Sequence, residues 1–208
     1  RSDDLTMVHP PTAADEAVRD LCRCREDARR DLLRTRHRLA TFLLRRACIY
    51  SLTRRTWGQP YRAWLAGLKF EHAADQVTLA DYVTGIEQLE QRVASLDQQL
   101  AAFAEQAPYQ EPVAWLRCFR GIDTVTAIAL VSELHDFRRF ETARALMAYL
   151  GLVPSEYSSG EQRRQGAITK AGNSHVRRLL VEAAWHYRHR PHVSVAMRQR
   201  RANQPGGI

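Results

Sequence analysis

The chain has 208 residues, of which 45% are hydrophobic and 26% are charged, and its formal net charge at pH 7 is +8. This length allows one large domain or two small ones, and the hydrophobic content excludes wholesale disorder. No apolar run reaches the length of a membrane span and no signal peptide opens the chain, so we expect a cytoplasmic protein without a membrane partner.

Arginine supplies nearly all of the positive charge, because Lys69 and Lys170 are the only lysines. Guanidinium groups suit bidentate contacts with phosphates better than ammonium groups do. A basic, arginine-rich chain therefore indicates nucleic acid as the first partner to consider. The four cysteines have no zinc-finger spacing, and we expect them to be reduced thiols.

The N-terminal half has the pattern of two long helices. Leu5–Val8 are predicted to form a short strand, and Thr12 or Asp15 to cap a helix that runs to about Tyr50. The apolar positions of this helix form a near-heptad stripe: Val18, Leu21, Ala28, Leu32, Leu39 and Phe42. Its acids are interpreted as a solvated, salt-bridged face rather than as a metal site.

Residues 51–76 are predicted to be a helical connector whose Trp64 and Phe70 pack rather than stack on nucleotides. Residues 77–107 then have the clearest periodicity in the chain, an apolar seam that Pro108 ends. Its members alternate three and four residues apart: Leu79, Tyr82, Ile86, Leu89, Val93, Leu96, Leu100 and Phe103. One helix cannot bury such a seam alone, so we expect it to pair with the first helix, with a second copy, or with both.

Residues 108–208 have a different texture, with short predicted helices between turns that contain glycine or serine. We therefore expect an all-α fold in which a long antiparallel helical hairpin, or coiled coil, precedes a compact helical domain. The expected domains are an entry segment 1–14, the hairpin 15–107 and the C-terminal domain 108–208. Through the coiled coil, a homodimer or tetramer is expected.

The turn at Gly121, Ile122, Asp123 and Thr124 lies between two predicted helices and has two interpretations. In a helix-hairpin-helix, the glycine would let the backbone approach a phosphate, and N–H groups at the helix start would bind the phosphate oxygen. The usual Gly-Ile-Gly has Asp123 in its third position here. The alternative is an ordinary turn with Asp123 as the N-cap, and the residues leave both open.

A second candidate site is the serine- and glycine-containing loop around Ser159. Arg163, Arg164 and Lys170 follow it. Asn173 begins a further helix that carries Arg177 and Arg178 and is predicted to have Tyr187 on its apolar face. A hydroxyl on a turn beside cations has the parts of a phosphoryl-transfer centre, in which a base must activate the serine. His175 is a possible base. The residues alone are equally compatible with an ordinary polar loop.

The ordered set of these segments resembles the C-terminal domain of DEDD transposases of the insertion-sequence-one-ten family, which are bridge-RNA-guided recombinases. The resemblance rests on these segments in order: Gly121-Ile-Asp, Phe140, Tyr149-Leu-Gly-Leu-Val-Pro154, Ser158-Ser159-Gly160, Ile168-Thr-Lys-Ala-Gly172-Asn173 and Arg177-Arg178-Leu. The first long helix also resembles the segment that follows the RuvC-like nuclease domain in that family. Together these segments cover nearly all of the chain.

The resemblance implies a two-part active site. A RuvC-like domain would hold Mg²⁺ with its carboxylates, and the second domain would supply a serine directly before a glycine, which corresponds to Ser159. It also implies a guide RNA that pairs with donor and target DNA. No metal ligand or cofactor is expected in this chain, which begins at Arg1. We expect residues 1–14 to be a remnant of the RuvC-like domain and the chain alone to be inactive in recombination.

Three functions follow from these interpretations. The first is a transposase segment that binds DNA phosphates and supplies Ser159. The second is a non-catalytic nucleic-acid-binding module of the helix-hairpin-helix type. The third is a structural coiled-coil protein whose basic surface is incidental, and it predicts weak DNA binding that does not depend on salt.

Overall fold

The computed structural model describes residues 11–53, 57–157, 159, 162, 164–202 and 204. Two short 3-10 helices, Phe137–Arg139 and His186–Arg188, accompany the eight α-helices and one two-stranded sheet of these residues. In chain order the α-helices and strands are α1 (Ala13–Arg45), α2 (Gln59–Gly67), α3 (Ala73–Ala104), α4 (Gln110–Leu116), α5 (Thr124–Leu134), α6 (Ala143–Tyr149), β1 (Pro154–Glu156), β2 (Gln165–Ile168), α7 (Ser174–Trp185) and α8 (Val195–Ala202). The predicted all-α fold class is therefore confirmed. The strand predicted at Leu5–Val8 lies outside the described residues.

The structure divides into two compact units. Residues 23–97 form one, and residues 11–22 together with the described residues from 98 onward form the other. The domain boundary near residues 108–112 stays a prediction.

The unit of residues 23–97 contains antiparallel segments of α1 and α3. Ion pairs show that the two helical segments run in opposite directions. Arg25 pairs with Asp97, Arg36 with Glu90 and Arg46 with Asp75. Burial raises the pKa of Glu90, but hydrogen bonds from Arg62 and Arg36 outweigh it and hold that pKa below its ordinary value. The core of this unit also includes Tyr61 and Leu65 of α2. The connector is thus part of the core.

Aromatic side chains of the connector pack on one another. The Tyr61 ring lies 5.5 Å from that of Trp64, and the Phe70 ring lies 5.6 Å from that of Phe42. Trp64 and Phe70 are both half-buried against the core of this unit. The predicted packing role of these two side chains is confirmed.

Helix α1 begins with a reciprocal cap. The Thr12 hydroxyl accepts a hydrogen bond from the Asp15 backbone N–H, and the Asp15 carboxylate accepts one from the Thr12 N–H. The predicted end near Tyr50 is wrong, because α1 stops at Arg45. Ala47 adopts a φ of 54°, and the N–H of Cys48 returns to the Leu43 carbonyl. Such a left-handed residue closes a helix, and it is hard to foresee when it is not glycine.

The apolar seam of α3 is partly covered within the chain: three of its eight residues are buried, and Tyr82, Leu89, Val93 and Leu96 are half-buried. In the unit of residues 23–97, Leu79 and Ile86 are buried; in the other unit, Leu100 is buried. Phe103 is 39% exposed and marks the end of the covered stretch.

The other unit is organised around α5. Every residue of this helix from Ala127 to Leu134 is buried, including the polar Ser132 and Glu133. Its neighbours in the core include Val113 of α4 and Val176 and Leu179 of α7. This core fixes the turns that carry the candidate site.

All four cysteines are free thiols, as predicted: Cys22, Cys24, Cys48 and Cys118. None of the helices in the described part of the chain combines the length and apolarity that crossing a membrane requires.

Candidate functional site

Ser159 lies at the tip of a β-hairpin. Strands β1 and β2 are antiparallel, with Pro154 opposite Ile168 and Glu156 opposite Gln165. Beyond them the Tyr157 N–H donates to the Arg164 carbonyl at 2.8 Å, and Ser159 and Gln162 exchange two backbone hydrogen bonds of 3.3 Å. Ser159 is exposed. Ser158, Gly160, Glu161 and Arg163 lie outside the described residues, so the structure does not place the predicted contact at Arg163.

This hairpin was not predicted from the sequence, because its strands are short and their residues do not alternate between apolar and polar. The side chain of Ser155, in contrast to the exposed Ser159, is used within the hairpin. Its hydroxyl donates to the Ala167 carbonyl at 3.0 Å. The position where Gly166 would carry a Cβ lies 2.5 Å from the same hydroxyl oxygen.

Two glycines hold the base of the hairpin. Gly151 follows α6 with a φ of 64°, as predicted for the residue after a helix, and Gly172 has a φ of 75°. A Cβ on Gly151 would overlap the backbone of Ala171, and a Cβ on Gly172 would overlap the Tyr149 carbonyl. The Lys170 N–H donates to the Gly151 carbonyl at 3.0 Å. The chain entering the hairpin and the chain leaving it therefore cross in backbone contact.

Arg177 clamps this crossing. Its Nη1 donates to the Leu150 carbonyl at 2.7 Å and to the Ala171 carbonyl at 2.9 Å. This guanidinium, which the sequence analysis proposed for DNA phosphates, thus has two partners within the fold. Its contacts favour a structural role in the free chain.

Asn173 is the N-cap of α7, as predicted from its position. Its carbonyl oxygen accepts from the N–H groups of His175 and Val176 at 2.9 and 3.1 Å. Its amide nitrogen donates to the carboxylate of Glu133 at 2.7 Å. Asn173 therefore connects α7 to the buried helix α5.

The remaining predicted cations near the hairpin differ in their surroundings. Lys170 is exposed, with a φ of 56°, and Arg164 is exposed on the hairpin itself. Arg178 pairs with Glu182 at 2.9 Å, and its Nη2 lies 3.4 Å from Nδ1 of His175. Lys170 and Arg164 thus contribute positive charge to the exposed surface around the hairpin.

The turn at Gly121 is directed toward the protein itself. Gly121 has a φ of 82°, and a Cβ there would lie 2.6 Å from the Ala183 carbonyl and 2.8 Å from the His186 ring. Ile122 is buried, and Thr124 is the first residue of α5. The Asp123 carboxylate accepts from the Thr126 N–H at 2.7 Å, so it is the N-cap of α5. These contacts favour the interpretation as a capped turn.

The structure also exposes a group of side chains that the sequence analysis did not assign to a site. Tyr187 was placed on the apolar face of α7, and this is wrong: α7 ends at Trp185, and Tyr187 is 58% exposed. Trp185 is 56% exposed. The available signal was the run of aromatic and basic residues from Trp185 to Arg190.

In the part of the chain that the structure describes, no group of three or more His, Cys, Asp or Glu side chains is placed to hold a metal ion.

Residues 114–198, which include the hairpin, the crossing and α7, match the transposase IS116/IS110/IS902 family. A Sinorhizobium fredii protein named as a transposase, y4qE, is 39% identical over 193 residues, which cover 93% of this chain and 46% of that protein. The transposase for insertion sequence element IS1533 of Leptospira borgpetersenii is 34% identical over 196 residues, covering 94% of this chain and 57% of that protein.

A shorter match joins the chain to the transposase for insertion sequence element IS1328 of Yersinia enterocolitica. It is 40% identical over 70 residues, which cover 34% of this chain and 21% of that protein. The chain spans about half the length of the first two relatives. By the match of residues 114–198 and by the relatives that align with nearly the whole chain, this chain is similar to transposases of the IS116/IS110/IS902 family.

Proposed function

We propose that this chain is the part of a DNA transposase that binds DNA phosphates and presents Ser159 as the nucleophile. The observation that carries the proposal is the position of Ser159, exposed at a hairpin tip inside the segment that matches the transposase family. A nucleophile for a polymer as large as DNA has to project from the surface. The hairpin provides this projection.

The reaction would be a transesterification. The Oγ of Ser159 attacks a backbone phosphorus, an Oγ–P bond forms, and the bond between phosphorus and one deoxyribose oxygen breaks. The serine proton is removed by a base, and the leaving deoxyribose oxygen gains a proton. Rejoining reverses these steps with a deoxyribose hydroxyl of another strand as the nucleophile. Because a phosphodiester is kept throughout, no nucleotide cofactor is consumed.

The fold supports this chemistry by positioning. The crossing of Gly151 and Gly172 and the clamp by Arg177 hold the base of the hairpin, so Ser159 projects from a fixed support. Exposed Lys170 and Arg164 lie along the strand that returns from the tip. Cations near the reacting phosphate would offset the negative charge that develops in the transition state.

Further parts of the proposal extend beyond this chain. The whole transposase would hold Mg²⁺ in a RuvC-like domain and would use a guide RNA to choose its DNA sites. It would assemble as a dimer or tetramer through the coiled coil. The contacts between copies would use surface that the chain itself leaves exposed, and not the buried part of the α3 seam. The inactivity of the chain alone in recombination stays a prediction.

The test is covalent capture of DNA by the transposase that contains this segment, with metal and RNA present. A suicide substrate, nicked so that the cleaved end diffuses away, should become attached to the wild-type protein at the peptide that contains Ser159. Ser159→Ala should abolish the adduct. Ser155→Ala is the matched control and should retain it, because that hydroxyl is used inside the hairpin.

Two outcomes would contradict the role of Ser159 as the nucleophile. One is the absence of an adduct from the wild-type protein when it binds the substrate, which would leave a non-catalytic nucleic-acid-binding module. The other is an adduct that persists in Ser159→Ala. Binding that does not weaken as salt increases would contradict the phosphate contacts as well and favour the structural coiled coil.

A further inference from the structure

The end of α7 exposes two aromatic rings that are two residues apart in sequence. Trp185 is the last residue of the helix and is 56% exposed, and Tyr187 in the following 3-10 turn is 58% exposed. Large aromatic rings left in water lose the free energy that burial would provide. An exposed group of such rings with cations around it is typical of a binding surface.

Cations lie directly over these rings. The Arg188 guanidinium carbon is 4.5 Å from the centroid of the Trp185 ring, and that of Arg120 is 5.8 Å from the centroid of the Tyr187 ring. Trp185, His186, Arg188 and His189 together line a concave pocket of about 430 Å³. Its walls therefore consist of flat rings and a guanidinium plane. We call this pocket the Trp185 pocket.

The fold holds the pocket in place through the chain around Gly121. The side chain of Arg120 donates to the carbonyls of His189, Arg190 and His192 at 3.4, 3.3 and 2.6 Å. The Arg120 N–H donates to the Tyr187 hydroxyl at 3.3 Å. Gly121 lies against Ala183 and His186, as described above. Because these contacts are made within the chain itself, ordering the pocket adds little to the cost of binding.

We propose that the Trp185 pocket binds an unpaired base of single-stranded DNA. A base stacks on an indole or imidazole ring through its flat face, and neighbouring arginines attract the phosphates beside it. A base inside a duplex is already stacked and paired, so it cannot lie on the Trp185 ring unless the duplex opens. The choice of DNA rests on the proposed function, in which strands are cleaved and exchanged.

The test compares strands with and without a base. The 208-residue chain is titrated with a short oligothymidine that carries one 2-aminopurine, whose fluorescence reports stacking. Parallel titrations use an abasic strand of equal length, the RNA strand of the same sequence and a duplex. The wild-type chain should quench 2-aminopurine and bind the base-bearing DNA about tenfold more tightly than the abasic strand, as expected for one stacked base.

Variants separate stacking from charge. Trp185→Ala should remove the preference for the base-bearing strand and leave duplex affinity unchanged, and Trp185→Phe should keep most of the preference. Arg188→Gln should weaken binding to base-bearing and abasic strands alike and reduce the salt slope by about one. Trp115→Ala, which removes a 36% exposed tryptophan of α4, is the matched control and should keep the preference.

Three results would overturn the proposal: equal affinity of the wild-type chain for abasic and base-bearing DNA, an unchanged preference in Trp185→Ala, or tighter binding of the RNA strand. The measurement is repeated on Ser159→Ala, which retains the pocket. Absence of covalent capture by the wild-type transposase, or an adduct that persists in Ser159→Ala, with intact stacking would reject only the role of Ser159. Loss of stacking with intact covalent capture would reject only the Trp185 pocket.

Discussion

The side-chain amide of Asn173 donates a 2.7 Å hydrogen bond to the carboxylate of Glu133, a residue that is 7% exposed on α5. The same asparagine caps α7 with its carbonyl oxygen. The Asn173 side chain thus caps α7 with its oxygen and binds Glu133 with its nitrogen. A substitution can remove one of these contacts and keep the other.

Asn173→Asp should keep the cap and place a second carboxylate against Glu133. We expect it to reduce the free energy of unfolding at pH 7 by about 2 kcal/mol, because the buried Glu133 carboxylate loses the hydrogen bond from Asn173 and gains a like charge. The folded protein would then bind a proton more tightly than the unfolded chain. The loss should therefore shrink as the pH falls to about 5.

Urea unfolding at both pH values measures this effect. Asn173→Ser keeps a cap and removes the same donor without adding charge, so it should recover less stability at the lower pH than Asn173→Asp does. Glu133→Gln in the Asn173→Asp background should restore stability at pH 7. If it does not, the two carboxylates do not interact as the structure indicates.

The glycines of the hairpin base should tolerate no side chain. Gly151→Ala and Gly172→Ala should each reduce the free energy of unfolding by more than about 2 kcal/mol, because each adds a methyl group that overlaps backbone atoms at a positive φ. Gly85→Ala is the matched control. Gly85 lies inside α3 with no atom near its missing Cβ, so alanine should stabilise by about 0.5–1 kcal/mol. Chemical denaturation of the three variants measures these changes in the free energy of unfolding. A small loss of stability in Gly151→Ala would contradict the backbone contact at the crossing.

Arg177 and Lys170 should separate stability from DNA binding. Arg177→Gln should reduce the free energy of unfolding by about 2 kcal/mol, because two backbone carbonyls lose a charged donor. It should change the salt dependence of DNA affinity little. Lys170→Gln should leave stability nearly unchanged and reduce the slope of log affinity against log salt by about 0.9. The reverse pattern, measured by anisotropy titrations and thermal unfolding, would assign Arg177 to the DNA phosphates.

Tyr109 should make the fold sensitive to alkali. Burial and the hydrogen bond to Asp15, which is 2.9 Å long, raise the pKa of Tyr109 to about 12 from its ordinary value of 10.0. The folded state therefore holds this proton more tightly than the unfolded chain does. Its stabilising contribution is complete below pH 10 and is lost as the pH rises from 10 to about 12.

Tyr109→Phe should remove this part of the alkaline loss and reduce stability at pH 7 by about 1 kcal/mol. Burial also raises the pKa of Tyr61, so Tyr61→Phe is the control that isolates the second contribution. Urea midpoints between about pH 9 and pH 12 measure both. An alkaline loss that is unchanged in Tyr109→Phe would refute the assignment.

The sequence by itself determined those features whose cause lies within a few residues. Helical periodicity and capping depend on near neighbours, so they can be predicted from sequence. The predictable features are the seam of α3, the helix caps at Thr12, Thr142 and Asn173, and the left-handed conformation of Gly151. The order of the C-terminal motifs also indicated the transposase family. Ser159 is exposed in a hairpin that was not predicted from the sequence, and its nucleophilic role stays a proposal.

Only the tertiary structure decided which surface each of these residues faces. Gly121 contacts α7, Arg177 clamps backbone carbonyls and Tyr187 leaves the core, although each had another predicted surrounding. Their partners are distant in the chain, and their identity depends on how helices pack. A local pattern specifies the conformation of a segment. The neighbours that fill its hydrogen bonds and cover its rings are determined only when the whole chain has folded.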